Sequence, residues 1–293
     1  MPESGVGGSA APASLAGTIA LGGAVPVNRL GFGAMRLPGV WEEPQDPRQA
    51  HRLLRRAIEL GVNLIDTAHA YGPETSERLI AEALHPYPHE LIVATKAGYG
   101  PRGSRGWAPD GRPETIRRHC QRSLAALRTE RIGLLQLHTI DPAVPIEESV
   151  GAMVELQARG KVGMIGVSNV TLEELARARA VGEIVSVQNR YHLADRASED
   201  VLAACERDGI AFLSWFPIGA GALARADQLQ ATAAAHAATA AQVAIAWLLQ
   251  RSPVLLPIPG TSSITHLEEN VAAAGLRLTS QEQEELWRAP AAG

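Results

Sequence analysis

Four side chains of complementary chemistry stand out in the sequence: Asp66, Tyr71, Lys96 and His138. A tyrosine hydroxyl has an ordinary pKa of about 10, which is too high for efficient proton donation near neutrality. A neighbouring lysine ammonium lowers that pKa, and an aspartate can hold the lysine in place. A neutral histidine can donate a hydrogen bond to a carbonyl oxygen and orient it. Together the four residues predict a site that polarises a carbonyl and protonates its oxygen, with hydride supplied by a cofactor.

Short apolar runs separated by amphipathic stretches surround these residues. The runs cover residues 62–65, 91–94, 134–137, 164–167, 184–187, 211–215 and 254–258, and an initial strand is expected near residues 28–32. The amphipathic stretches include residues 50–60, 115–127, 147–159, 171–180 and 198–207. Continuous apolar strands that alternate with helices indicate a parallel sheet covered by helices. Eight such strands in 293 residues favour an α/β fold of the (β/α)8 TIM-barrel type.

The segment before the first of these strands predicts an N-terminal β-hairpin. Gly22-Gly23 separates the apolar residues 18–21 from residues 24–27, which is a two-residue hairpin signal. We expect this hairpin to close the bottom of the barrel. The alternative fold, an open doubly wound sheet, is disfavoured because Gly31-Phe-Gly33 lacks the third glycine of a dinucleotide-binding fingerprint.

Two segments, the N-terminal residues and one alanine-rich stretch, could be mistaken for a signal peptide and a membrane span. Residues 1–17 have no basic start and no continuous apolar core, so we expect a flexible tail rather than a signal peptide. No linker divides the remainder, and residues 18–293 are expected to form a single domain. Residues 231–249 are apolar, but Thr239 and Gln242 have the spacing of a capping box, which predicts two soluble helices rather than a membrane span.

Composition excludes several classes of partner. The 27 Lys and Arg residues against 31 Asp and Glu residues give a net charge of −4, so we expect neither nucleic acid nor a membrane as partner. Only two cysteines are present, Cys120 and Cys205, far apart and on amphipathic helical patterns. This predicts buried thiols, no disulfide framework, no metal site and a cytoplasmic location. The oligomeric state is left open.

Residues at the carboxyl ends of barrel strands face the active site. In this chain, those positions hold Asp66 with Tyr71, Lys96, His138, Ser168 with Asn169, Gln188, Trp215 and Gly260. A single polar residue at a strand end would carry little weight, because strand ends face water. The convergence of Asp, Tyr, Lys and His at one edge predicts a reaction site.

At these residues the chain resembles the aldo-keto reductases, over residues 15–285. The motifs that carry the resemblance are residues 61–72 (GVNLIDTAHAYG), 94–96 (ATK), 135–138 (LQLH), 163–169 (GMIGVSN), 187–189 (VQN) and 258–263 (IPGTSS), followed by Glu269 and Asn270. Each motif alone is weak, but the set in family order is specific. The last motif is most similar to bacterial members of the pyridoxal reductase type.

The resemblance implies a catalytic tetrad of Asp66, Tyr71, Lys96 and His138 with Tyr71 as proton donor. It also implies a nicotinamide cofactor, NADPH with NADH tolerated. The cofactor-binding residues implied are Gly33, Met35, Asp66, Ser168, Asn169, Gln188, Trp215, Phe216, Pro217, Ile218, Gly219, Gly221, Gly260, Thr261, Ser262, Ser263, His266, Glu269 and Asn270. Trp215 either stacks on the nicotinamide ring or belongs to the core at the top of the barrel.

The phosphate end of this implied cofactor site departs from the commonest family pattern. His266 stands where an arginine is frequent, and the preceding residues are hydroxyl-bearing rather than cationic. Hydroxyls and backbone amides at a helix start can bind phosphate, or Ser262 and Ser263 merely cap the helix. The missing cation weakens the expected preference for NADPH.

Loops that follow the strands should choose the substrate. Trp41, His69 and Trp107 are the candidate substrate residues, and the loop containing Trp107 is rich in aromatic and arginine residues. Such a loop can hold a planar or anionic substrate, although a solvated loop has the same composition.

The expected function is reduction of an aldehyde or ketone, such as a pyridoxal-like or aromatic aldehyde, to an alcohol. The first alternative is a ketone or imine reductase of secondary metabolism, which would use the same tetrad. The second is a cofactor-bound subunit that senses redox state. Multiple turnovers with a simple aromatic aldehyde would separate the enzymes from the sensor.

Overall fold

A computed structural model describes residues 12–41, 46–101, 107–219 and 227–288 of the chain. Its strands, in chain order, are β1 (Thr18–Leu21), β2 (Val25–Asn28), β3 (Phe32–Gly33), β4 (Leu64–Asp66), β5 (Ile92–Ala97), β6 (Tyr99–Pro101), β7 (Trp107–Pro109), β8 (Ile132–Leu137), β9 (Val162–Ser168), β10 (Ile184–Arg190), β11 (Ala211–Trp215) and β12 (Leu255–Pro257). Eight of them form one parallel sheet in the order β12-β11-β10-β9-β8-β5-β4-β3.

The sheet curls until its two edge strands meet. The Gly31 amide donates to the Pro257 carbonyl at 3.0 Å, and the Gly33 amide donates to Pro259 at 3.3 Å. A Cβ atom on Gly33 would lie 2.7 Å from the Ile258 carbonyl oxygen, so only glycine permits this approach at the mouth of the barrel. With the helices below, this arrangement confirms the predicted (β/α)8 barrel.

Helices follow the barrel strands and cover the outside of the sheet. They are α1 (Arg48–Glu59), α2 (Thr75–Leu84), α3 (Pro113–Ala126), α4 (Ile146–Ala158), α5 (Leu172–Val181), α6 (Glu199–Asp208), α7 (Asp227–Ala235), α8 (Ala240–Arg251), α9 (Ile264–Ala272) and α10 (Ser280–Arg288). The five amphipathic stretches of the sequence coincide with α1, α3, α4, α5 and α6 to within about two residues at each end.

The N-terminal hairpin closes the barrel bottom as expected. Leu21 and Val27 are buried in one cluster with Leu64, Leu134 and Leu213 from the barrel strands. The loop is longer than predicted, because Leu21 pairs with Val25 and three residues lie between them.

Two boundaries from the sequence are wrong. The first barrel strand begins at Phe32, not near residue 28, because the Asn28 side chain donates to the Gly61 carbonyl at 2.7 Å and ends β2 there. The expected tail also ends earlier, since Pro12–Ala16 forms a short 3₁₀ helix with Ala13 fully buried. Residues 1–11 lie outside the described ranges. That residues 18–293 form one domain stays a prediction.

The capping box in the alanine-rich segment is present. The Thr239 hydroxyl oxygen accepts the Gln242 amide at 3.2 Å, and the Gln242 side chain accepts the Thr239 amide at 2.8 Å. Among the described residues, no single helix is long and apolar enough to cross a membrane. Helices α7 and α8 pass that test only as a pair, and they are bent by 90°.

Candidate active site

A cavity of about 970 Å³ opens at the carboxyl ends of the barrel strands. From the tetrad, Asp66, Tyr71 and His138 line it. Lys96 does not line it among the described residues, because its side chain lies behind Tyr71 and is 2% exposed. The parallel sheet brings these residues together, since each lies at or just after the carboxyl end of its strand.

A buried ion pair forms the base of the site. Lys96 Nζ donates to Asp66 Oδ2 at 2.6 Å and to the Thr67 carbonyl oxygen at 2.9 Å. The same ammonium lies 3.4 Å from the Tyr71 hydroxyl. Asp66 Oδ1 in turn accepts Gln188 Nε2 at 2.7 Å and Gln136 Nε2 at 3.2 Å. Each polar atom of the pair is therefore bonded, which offsets the cost of burying two charges.

These contacts determine the charge states of Lys96 and Tyr71. Burial lowers the pKa of Lys96, but the charge of Asp66 and the contact with Tyr71 outweigh it, so that the pKa is raised and the ammonium stays charged. Burial raises the pKa of Tyr71, and Lys96 only partly opposes this effect. The expected net lowering of the tyrosine pKa is therefore wrong. Tyr71 is a neutral phenol with a cation beside its hydroxyl.

His138 faces Tyr71 across the cavity. The two rings meet edge to face, with their centroids 5.9 Å apart. Burial, followed by the charge of Lys96, lowers the pKa of His138 well below its usual value, so the imidazole is neutral. A neutral ring can donate one hydrogen bond to a carbonyl oxygen that sits between it and Tyr71.

The loop that carries Tyr71 is held by a close backbone approach. Gly72 has a φ of 64°, and a Cβ atom there would lie 1.9 Å from the Val40 carbonyl oxygen. Glycine is therefore required directly after the tyrosine. The Trp41 ring, one residue after Val40, meets the Tyr71 ring edge-on at 6.1 Å.

The residues predicted for the nicotinamide surround the same end of the cavity. Ser168, Asn169, Gln188 and Trp215 all line it. Asn169 bridges two neighbours, because its Nδ2 donates to the His138 carbonyl at 3.0 Å and its Oδ1 accepts Trp215 Nε1 at 2.9 Å. Trp215 is half-buried: it lines the cavity and also packs against the buried cluster that contains Leu64 and Leu213, so its stacking on the nicotinamide stays a prediction.

The segment after Trp215 continues along the cavity. Phe216, Pro217 and Ile218 line it. Gly219 is not among the described residues that line the cavity, and Gly221 lies outside the described ranges. Near the first strand, Gly33 and Met35 also line the cavity, and their contact with the cofactor stays a prediction.

At the opposite end, the start of α9 borders the cavity. Gly260, Thr261, Ser262 and His266 line it. Ser263 does not line it in the described structure, because it caps α9 and its hydroxyl oxygen accepts the His266 amide at 3.4 Å. Ser263 thus caps α9, while Ser262 lines the cavity; that their hydroxyls bind phosphate stays a prediction. Glu269 and Asn270, further along the helix, also lie away from the cavity in the described part of the chain.

Aromatic rings form the outer wall. Trp41 and Trp107 line the cavity with centroids 6.3 Å apart. Tyr99 lies 6.0 Å from Trp107 and 5.1 Å from His138, so it joins the outer wall to the tetrad. Strands β6 and β7 pair antiparallel and bring these two residues together.

His69 is not part of this wall. The residue is buried, with only 4% of its surface exposed. It is not among the described residues that line the cavity. Its ring lies against His119 at 4.0 Å, and burial followed by the nearby His119 lowers its pKa to about 3. The prediction that His69 lines the substrate pocket is wrong, because the loop turns this side chain toward α3.

Sequence reasoning missed several lining residues. Arg36, Ala70, Thr139 and Ile258 also line the cavity, as does Tyr99, which was noted only as part of a loop. Arg36 ends the short 3₁₀ helix Ala34–Arg36 that follows β3, and its position directly after the predicted Met35 was the available signal.

A nicotinamide dinucleotide fits the residues present. The Gly33–Gly260 approach leaves bare backbone on the wall, and a Cβ atom on Gly260 would lie 2.6 Å from the Gly33 carbonyl oxygen. Exposed Ser262 and His266 offer polar groups at one end, while Trp215 offers a ring face at the other. No group of three or more His, Cys, Asp or Glu in the described ranges is arranged to hold a metal ion.

Comparisons with known proteins agree with this geometry. Residues 29–289 match the aldo/keto reductase family. An uncharacterized oxidoreductase of Schizosaccharomyces pombe is 45% identical, and the match covers 93% of this chain and 90% of that protein. Pyridoxine 4-dehydrogenase of Escherichia coli is 42% identical, over 88% of this chain and 93% of the relative.

A solved structure extends the similarity to the fold. The aldo-keto reductase of Klebsiella pneumoniae in complex with NADPH superimposes with a TM-score of 0.81 at 28% identity, covering 93% of this chain and 95% of the other. The chain belongs to the aldo/keto reductase family and is an oxidoreductase that acts on carbonyl compounds with a nicotinamide cofactor.

Proposed function

We propose that this reductase converts a planar aromatic aldehyde of the pyridoxal type to the alcohol, with Tyr71 as proton donor. The observation that carries the substrate class is the aromatic wall of Trp41, Tyr99 and Trp107 around Tyr71 and His138. A planar ring placed between these side chains gains stacking and edge contacts that an aliphatic chain does not. The name of the Escherichia coli relative, a pyridoxine dehydrogenase, supports the same class.

The tetrad performs the proton chemistry in this proposal. His138, neutral, donates a hydrogen bond to the carbonyl oxygen and directs it toward the Tyr71 hydroxyl. NADPH, when bound, supplies hydride to the carbonyl carbon. The oxygen gains negative charge and takes the Tyr71 proton. Lys96, 3.4 Å away, stabilises the phenolate that remains, and Asp66 keeps Lys96 charged and in place.

The remaining cavity residues hold the cofactor in the proposal. Ser168, Asn169 and Gln188 would hold the carboxamide of the nicotinamide, and Trp215 would offer its ring face to the nicotinamide. Ser262 and His266 lie at the end where the 2′-phosphate of NADPH is expected. We also propose a cytoplasmic location, which rests on the two free, buried cysteines.

A comparison of aromatic with aliphatic aldehydes tests the substrate class. We expect benzaldehyde and pyridoxal to be reduced with a lower KM than butanal, with NADPH absorbance as the readout. Trp107→Leu removes one ring of the wall and should raise KM for the aromatic aldehydes roughly three- to tenfold. KM for butanal should change little.

Two outcomes would contradict the proposal. Equal KM changes for aromatic and aliphatic aldehydes would show that the wall does not select planar rings. Tight NADPH binding without repeated turnover of any carbonyl would favour the redox-sensing alternative.

A further inference from the structure

The first turn of α2 carries two buried polar residues that the reaction does not use directly. Ser76 and Glu77 are fully buried. Helices bury carboxylates at a high cost in solvation, so a buried glutamate in this position needs a partner. Both residues find a partner next to the tetrad, one on a barrel strand and the other directly after one.

Each partner is the chain neighbour of a tetrad residue. The Thr67 hydroxyl donates to Ser76 Oγ at 2.8 Å, and Thr67 directly follows Asp66. The Thr95 hydroxyl donates to Glu77 Oε1 at 2.5 Å, and Thr95 directly precedes Lys96. Side chains alternate along a strand, so Thr95 points outward to α2 while Lys96 points into the barrel. Helix α2 therefore holds from outside the strand segments whose inward side chains form the ion pair.

We propose that Glu77 is a positioning residue: through Thr95 it fixes the backbone that carries Lys96, and so keeps the ammonium between Asp66 and the Tyr71 hydroxyl. This inference rests on the proposed function, in which Lys96 supports proton transfer from Tyr71. The distance from Lys96 Nζ to that hydroxyl is 3.4 Å, at the outer limit of a hydrogen bond, so a small shift of the strand breaks the contact.

The charge of Glu77 changes near neutrality. Burial raises its pKa to about 7, while the hydrogen bond from Thr95 and the nearby Ser123 hydroxyl oppose that rise and the charge of Glu74 adds to it. In the described structure, Glu77 Oε2 has no hydrogen-bond partner. The titratable groups that face Glu77 on neighbouring segments, Cys120 of α3 and Tyr87 after α2, have pKa values raised by burial. They keep their protons at neutral pH, so Glu77 is the group of this cluster that titrates there.

The direction in which kcat changes with pH follows from the charge of the Glu77 carboxyl, which accepts the hydrogen bond from Thr95. Above pH 7 Glu77 is ionised and accepts a strong, charge-assisted hydrogen bond from Thr95. Below pH 7 the carboxyl is neutral and that bond weakens. We therefore expect kcat to rise as pH increases from about 6 to 8, around the Glu77 pKa of about 7.

Three variants test the inference at saturating NADPH and benzaldehyde. Glu77→Gln keeps the shape without the charge, so its kcat should stay at the acid-side value and be flat across pH 7. Thr95→Val should lower kcat roughly tenfold at every pH, because misplacement of a catalytic group is costly even when it is small. Thr95→Ser keeps the hydroxyl and should restore kcat. The Kd for NADPH should be unchanged in all three, since neither residue lines the cavity among the described positions.

A control and the contrary outcomes complete the test. Thr232→Val removes a comparable buried hydroxyl bond, 3.0 Å to the Gln228 carbonyl, on α7 and should leave kcat unchanged. A Glu77→Gln profile that matches the parent, or a Thr95→Val kcat equal to that of Thr232→Val, would overturn the inference. Tyr71→Phe, measured alongside, separates the two claims: if it stays active, the proposed proton donor is wrong, whereas its inactivity with an unaltered Thr95→Val refutes the positioning role alone.

Discussion

The two ends of the cavity are built on different principles. At the tetrad end, Lys96 and Asp66 have side chains only 2% and 3% exposed and bond to each other at 2.6 Å. At the phosphate end, Ser262 and His266 are exposed. These two residues make hydrogen bonds through their backbone: the Ser262 carbonyl accepts Gln49 Nε2 at 3.2 Å, and the His266 amide donates to the Ser263 hydroxyl.

The difference indicates which parts of the site exist before ligands bind. Asp66 and Lys96 are fixed by bonds between barrel strands, so the geometry of this pair belongs to the folded state itself. The side chains at the start of α9 are open to a ligand and contribute little to the fold. Substitutions at the ion pair should therefore affect stability and catalysis together, whereas substitutions at the phosphate end should affect affinity alone.

The largest expected effect is on stability, at the buried ion pair. Asp66→Asn leaves the Lys96 ammonium buried without a counter-charge and should lower the free energy of unfolding by about 3–5 kcal/mol. Glu147→Gln breaks an exposed ion pair with Arg177 and should leave the free energy of unfolding almost unchanged. Denaturant titration of both variants measures the contrast. Equal losses would mean that burial does not distinguish the two pairs.

A smaller effect is expected at the phosphate end. His266→Ala should weaken NADPH binding about three- to tenfold, the value of a single hydrogen bond to a charged group, without a change in stability. Binding of NADH, which lacks the 2′-phosphate, should not change. Thr265→Ala, next to it on α9, serves as the control. Fluorescence titration gives both Kd values, and an equal loss for NADH would show that His266 does not contact the phosphate.

The regular part of the fold could be predicted from the sequence because buried parallel strands are continuous apolar runs. Strand β11 was predicted with the bounds that the structure gives, Ala211–Trp215. The first barrel strand is only two residues long, Phe32–Gly33, and the apolar residues before it belong to the hairpin, so its position could not be read from hydrophobicity.

The directions of side chains in loops could not be predicted from the sequence either. His69 lies between Asp66 and Tyr71 in sequence, but position in a loop does not determine which way a side chain points, and this one packs on His119. The direction of the net pKa shift of Tyr71 could not be predicted from the sequence, because it depends on the depth of burial as well as on the lysine beside it. Residue types and spacing predicted which groups meet, but not how far each is desolvated.

The central claim is that Tyr71 donates the proton, and a single-turnover measurement on Tyr71→Phe tests it most directly. With NADPH bound and benzaldehyde in excess, the rate of NADPH oxidation should fall by about 10²-fold or more, while the Kd for NADPH stays near that of the parent. Tyr87→Phe removes a hydroxyl bonded to the Leu127 carbonyl at 2.7 Å, away from the cavity, and should keep the parent rate. A Tyr71→Phe rate equal to that of Tyr87→Phe would contradict the account.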